Sequence, residues 1–221
     1  TTTTSMVAAV LSKAGLDPTM VIGGRVHMFG TNAKMGQGEI LVAEADESDG
    51  SFLLLAPVIT VVTNIDKEHL DFHQSMERLN ESFLTFVNKI PFYGLAVLCI
   101  DDANVHGLLP KVRKRFTTYG LSAEAEFSAR RLKMSPQGVE FTVLRHGKAL
   151  GKLHLRSPGK HSATNALAAV AVACELQIPF AQVAHALAAF TGIHRRFEVK
   201  GEPKGILIID DYGHHPTEIR A

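Results

Sequence analysis

Glu44, Asp46, Glu47, Ser48 and Asp49 follow directly on the apolar run Ile40-Leu41-Val42-Ala43. The run reads as a buried strand of a parallel sheet. In open α/β sheets ligands lie outside the carboxyl ends of the strands, so this strand delivers acidic side chains to the edge where a ligand sits. Carboxylates this close repel one another, and a bound cation relieves the repulsion. A solvated acidic turn is the other reading of the same residues.

Four more segments carry groups that can do chemistry. Thr63-Asn64-Ile65 leaves a second apolar run, Val58 to Val62, and leads to Asp66, Glu68, His69 and Asp71. A histidine among carboxylates at a strand end is a ligand or acid/base candidate, as well as an ordinary surface residue. Ile208-Ile209 runs into Asp210, Asp211, Tyr212, His214 and His215, a gathering of polar groups too costly to be incidental at the end of a buried strand. Gly159 to Leu167 opens an alanine-rich helix that contains Asn165, whose amide either caps locally or matches an adenine edge. Arg195-Arg196 follows Gly192, a pairing that suits bidentate contact with phosphate or carboxylate, or a charged hinge. The hydroxyl-rich start, Thr1 to Ser5, is either an N-cap run or a helix N-terminus that takes phosphate and magnesium.

The elements that must position these groups alternate. Thr1 to Ala14 is expected to be a helix stopped by Gly15, and a glycine-punctuated, turn-rich stretch containing Gly23-Gly24 precedes the acidic strand. Ser75 to Lys89 has Met76, Leu79, Phe83, Phe86 and Val87 at helical spacing, and Gly94 to Ile100 is a third strand that ends in Asp101-Asp102. From Glu126 to Ser157 apolar and polar residues alternate between turn signals, which predicts a small antiparallel sheet. Helices resume at 161–176 and 180–190, two short strands follow, and a helix begins near Pro216. The fold class is therefore α/β, a mostly parallel sheet flanked by helices with a small antiparallel sheet.

Composition narrows the function. A chain of 221 residues that is 46% hydrophobic and 20% charged buries an ordinary core. Its net charge of +1 and scattered basic residues argue against nucleic acid, and Lys111 to Arg115 reads as a solvated helix face. No apolar run is long enough to span a membrane. Cys99 and Cys174 lie in apolar runs and read as buried thiols of a cytoplasmic protein.

The order of these motifs resembles the Mur ligases, the ATP-dependent amide-bond ligases of peptidoglycan precursor synthesis. The resemblance is carried by Glu44 to Phe52, by Thr63-Asn64-Ile65 with His69, and by Asp210-Asp211-Tyr212-Gly213-His214-His215-Pro216. Tyr212-Gly213, where a tripeptide-adding relative has Phe-Ala, favours the members that join L-alanine to UDP-N-acetylmuramate. The resemblance implies a P-loop-type nucleotide-binding sheet and two magnesium ions, with manganese tolerated at the nitrogen-bearing position. Thr1 and Glu44 would hold the first ion and His69 the second. Thr1 and Thr2 would lie at the phosphates, His161 and Asn165 at the adenine, and Arg196 and Asp211 at the nucleotide when the domains close. Tyr212 and His214 would lie near the incoming amino acid. Ser162 departs from the family's usual asparagine.

The same resemblance divides the chain into a central ATP-binding domain, 1–192, and a linker with the start of a Rossmann-like C-terminal domain, 193–221. It implies that a UDP-binding front domain and the glycines and lysine of the phosphate loop precede Thr1, and that this polypeptide alone does not turn over.

Overall fold

The protein, represented by a computed structural model, is described over residues 1–220. Helix α1 (Thr2–Lys13) leads into strands β1 (Thr19–Val26), β2 (Thr31–Lys34) and β3 (Leu41–Ala43), which form a sheet of order β2-β1-β3. There follow β4 (Ile59–Val62), α2 (Leu70–His73), α3 (Met76–Asn88), β5 (Leu95–Cys99), α4 (Ala103–Leu108), β6 (Phe116–Gly120), β7 (Phe127–Ser135), β8 (Gly138–Arg145) and β9 (Lys148–Leu155). Helices α5 (Lys160–Glu175) and α6 (Phe180–Ala188) come next, then a hairpin of β10 (Glu198–Gly201) and β11 (Ile208–Asp210), and α7 (Pro216–Arg220).

β4 to β9 form one six-stranded sheet in chain order. It is parallel from β4 to β7 and antiparallel from β7 to β9. The expected antiparallel unit is thus present, and β7 joins it edge to edge to the parallel strands. β5 shows how the sheet is held from both faces. Its side chains alternate, so Leu95, Val97 and Cys99 enter a core with α1, α5 and α6, while Ala96 and Leu98 enter a second core with α3 and α4. Each large apolar side chain so buried contributes about 1.5–3 kcal/mol. α5 buries a run of alanines against α1, and small side chains allow the two helices to approach closely. α3 begins where Ser75 accepts the Arg78 N–H, and it buries Leu79, Phe86 and Val87 at helical spacing.

Several expectations are corrected. The acidic strand is not buried, because β3 pairs only with β1; Val42 is covered but Leu41 is 62% exposed. Gly23-Gly24 lies inside β1 and makes no turn. A Cβ on Gly23 would sit 3.0 Å from the Glu44 carboxylate, and one on Gly24 would sit 3.1 Å from Thr1 Cγ2, so both glycines serve close approach. Lys111 to Arg115 is the connection into β6, a strand whose Phe-Thr-Thr-Tyr-Gly composition gave little signal, and Arg115 pairs with Glu175 there. Cys99 is buried, but Cys174 is only half-buried; both are free thiols.

Candidate functional site

The first part of the site is built by β1, β3 and the start of α1. The β1–β3 ladder continues one residue beyond β3, with Glu44 N–H donating to the Val21 carbonyl at 2.9 Å. That register lays the Glu44 side chain against Gly23, whose N–H donates to Oε2 at 2.7 Å. The Thr1 hydroxyl donates to Oε1 at 2.6 Å. Burial pushes the Glu44 carboxyl up, and the hydrogen bonds from the Thr1 hydroxyl and the Gly23 N–H pull it down. Thr2 is the first residue of α1 beside this pair.

The second part lies at the carboxyl ends of β3 and β4. Ligand atoms of Glu47, Glu68 and His69 all lie within 4.8 Å of one another. His69 has φ 54°, a left-handed backbone that a non-glycine residue holds only when its surroundings enforce it. Here the His69 carbonyl accepts the His73 N–H at 2.9 Å in the turn of α2. The buried His73 ring returns to the acidic loop, its Nε2 2.8 Å from the Glu47 carbonyl oxygen. Asn104 steadies the other loop by donating to the Ile65 carbonyl at 2.6 Å. The loop that starts at Glu44 therefore reaches His69 through Glu47, and both loops share one rim. Asp46, beside them, is held below the usual carboxylate value by the backbone and hydroxyl of Ser48.

On α5, the Asn165 Oδ1 accepts the Thr3 hydroxyl at 2.9 Å, which ties the expected adenine segment to the expected phosphate segment. His161 is exposed near the start of the same helix and packs against Gly159. Ser162 is buried and donates to the Pro158 carbonyl at 2.7 Å.

The linker and the C-terminal segment form a third group. The Arg195 and Arg196 guanidinium groups lie 4.9 and 5.7 Å from the centre of the Tyr212 ring. Arg196 also reaches Glu218 at 3.5 Å. Asp211 accepts the N–H groups of Phe197 and Gly213 at 2.8 and 2.7 Å, so its carboxylate fastens the linker. His214 Nδ1 lies 3.1 Å from the Tyr212 carbonyl, turned back on its own loop. The residue that touches the rim is His215, with Nδ1 3.4 Å from Asp66 and 3.8 Å from Glu68. The Thr217 side chain and the Lys67 N–H, in that order, hold the Asp66 carboxyl low.

Thr1 and Glu44 thus meet as the resemblance implied, and His69 lies with Glu47 and Glu68 of the acidic loops. Arg196, Asp211, Tyr212 and His214 are gathered with one another. Glu47, Glu68 and His215 enter the site although sequence reasoning named them only as members of their motifs, and Gly23 enters it although it was expected in a turn. Their signal was proximity to residues already chosen, and it could not say which neighbour faces inward. The donor sets suit metals: Thr1 and Glu44 offer hard oxygen ligands of the magnesium type, and Glu47, Glu68 and His69 add one nitrogen.

A family model described as Mur ligase middle domain matches residues 1–173. A UDP-N-acetylmuramate–L-alanine ligase of Geobacter sp. (strain M21) is 59% identical over all of this chain and 48% of its own length. The crystal structure of a UDP-N-acetylmuramate–alanine ligase from Thermotoga maritima superposes with TM-score 0.87 at 32% identity, over 100% of this chain and 50% of that one. A UDP-N-acetylmuramate:L-alanyl-γ-D-glutamyl-meso-diaminopimelate ligase from Neisseria meningitides gives 0.78 at 27% identity, over 87% of this chain and 63% of its own. The chain spans about half the length of the curated relatives it matches. Since the matched span takes in the helix start, both ligand-bearing strand ends and most of α5, this chain belongs to the Mur ligase family.

Proposed function

We propose that residues 1–192 are the ATP-binding central domain of a cytoplasmic ligase that joins L-alanine to the carboxylate of UDP-N-acetylmuramate, and that residues 193–221 are the linker and the start of its C-terminal domain. The observation that carries the reading is that two donor sets, Thr1 with Glu44 and Glu47 with Glu68 and His69, lie along one acidic loop and the loop tied to it by His73, at the carboxyl ends of β3 and β4 in two neighbouring sheets. The names of the relatives at 55–59% identity support the alanine-adding reaction over the tripeptide-adding one.

A carboxylate resists attack by an amine because its oxygen is a poor leaving group. Transfer of the γ-phosphoryl group of ATP to that oxygen makes an acyl phosphate, and attack by the amine then expels phosphate. Bound magnesium, or manganese beside the histidine, supplies neutralisation of the charge on the transferring group. Thr1 and Glu44 hold one ion, and His69 with the flanking glutamates holds the other. The first N–H groups of α1 face the phosphates near Thr1 and Thr2. Asn165, with Oδ1 engaged by Thr3, presents its amide nitrogen to the adenine near His161. Arg196 and Asp211 approach the nucleotide from the linker, and Tyr212 and His214 flank the amino acid.

The test uses a protein of the relatives' full length that contains this segment, supplied with ATP, magnesium and UDP-N-acetylmuramate. Phosphate release is expected with L-alanine. Release with the tripeptide alone, or with neither, overturns the assignment.

A further inference from the structure

A second cluster of potential metal-binding side chains lies where the linker meets β1. We infer that His27, His194 and Glu198 form a binding site for a borderline divalent transition metal such as zinc or cobalt, and that the ion fastens the linker to β1.

The backbone on which the two histidines sit is fixed before any metal arrives. Val26 and Ile193 form an antiparallel bridge, and both are buried. Around it, the His27 N–H donates to the Gly192 carbonyl at 3.3 Å and the His194 N–H donates to the Arg25 carbonyl at 2.9 Å. The imidazole centres are 5.7 Å apart, edge to face. Left-handed turns at Arg195 and Phe197 then swing the chain back, so that Glu198 returns over His194.

The ligand atoms have the separations that a small tetrahedral site requires. His194 Nδ1 lies 2.9 Å from Glu198 Oε2, His27 Nε2 lies 3.9 Å from Oε1, and all three ligand atoms lie within 4.8 Å of one another. Metal–ligand bonds of about 2.0–2.1 Å place tetrahedral donors about 3.3 Å apart, between the two measured values. Two imidazoles and one carboxylate are the donor set that favours zinc-like ions over magnesium, and the fourth position is left to water. The histidines are 37% and 47% exposed, which gives an ion a way in. The Glu198 carboxylate accepts the Arg195 N–H at 2.9 Å through Oε2. Lys200 Nζ lies 2.8 Å from Oε1 and is itself 39% exposed, so it swings into solvent as the metal enters.

The test is a titration of the full chain with cobalt(II) under excess magnesium, followed by visible absorption. The expected result is one equivalent of cobalt with the intense bands of a tetrahedral ion. His27→Ala and His194→Ala should each abolish those bands and weaken binding by about 10-fold or more, whereas Glu44→Ala should keep them. Absence of the bands in the unmodified protein, their survival in both histidine variants, or their loss in Glu44→Ala overturns the inference.

Discussion

β5 and β3 both run into neighbouring carboxylates at their carboxyl ends, and the two sets are used differently. After β5, Asp102 accepts the Val105 N–H at 2.8 Å and caps α4. Asp101 accepts the Leu121 and Ser122 N–H groups at 2.6 and 3.0 Å and fixes the exit of β6. After β3, Asp46 and Asp49 make only local turns, to the Ser48 and Ser51 N–H groups. Glu47 instead faces Glu68 and His69 from the next loop, and Glu44 takes a hydroxyl from a helix 43 residues away in sequence. A carboxylate surrounded by backbone N–H groups is satisfied by the fold. One that faces another carboxylate and a histidine, as Glu47 does, or that meets a single backbone N–H and a hydroxyl, as Glu44 does, keeps charge for something the fold does not supply.

The largest effect expected from this contrast is on activity. In the full-length ligase, Glu44→Gln should lower turnover by about 100-fold or more, since metal-assisted charge stabilisation is worth several kcal/mol, while stability changes by no more than about 1 kcal/mol. Steady-state phosphate release and denaturant melts on the same samples measure both, and a variant that loses stability but not turnover breaks the contrast. Next in size, Asp101→Ala and Asp102→Ala should each destabilise the protein by about 1 kcal/mol, through two unpaired N–H groups and a lost helix cap respectively. Urea midpoints read this, and unchanged midpoints would place the β5 pair with the β3 set.

The smallest effect is an acid one. Asp46 and Asp49 are held below the ordinary 3.8 by Ser48 and Ser51. A carboxyl with a lowered folded pKa adds stability that is complete above its unfolded value and is lost as pH falls through the folded one. Stability should therefore fall below pH 3.8 for these groups, and Ser51→Ala should soften that fall slightly. Urea melts from pH 5 to pH 2 compare the two proteins, and parallel curves would show that the turns do not hold the carboxyls.

Much of the framework was legible in the chain. The Ser75 cap with its apolar spacing announced α3, and Gly15 at φ 81° closes the α1 region as a helix stop should. The alanine-rich run after Gly159 became α5. β2, with Thr-Asn-Ala-Lys, and β6, with Phe-Thr-Thr-Tyr-Gly, were not legible, because their pairing comes from neighbouring strands and not from an apolar period of their own. Gly23 and Gly24 misled because a glycine needed for a turn and one needed for close approach look alike in a sequence.

Local chemistry along the chain was enough to determine which residue types collect at each strand end, since alternation, caps and turn residues act within a few positions. The facing of those residues came from tertiary packing. Thr1 meets Glu44 because α1 packs beside the β1–β3 pair, and His73 locks the Glu47 loop to the His69 loop across 26 residues. Of two adjacent histidines, His215 turns to Asp66 and His214 to its own loop. Contacts between distant segments depend on strand register and on what packs behind each loop, and neither is encoded by spacing within a single segment.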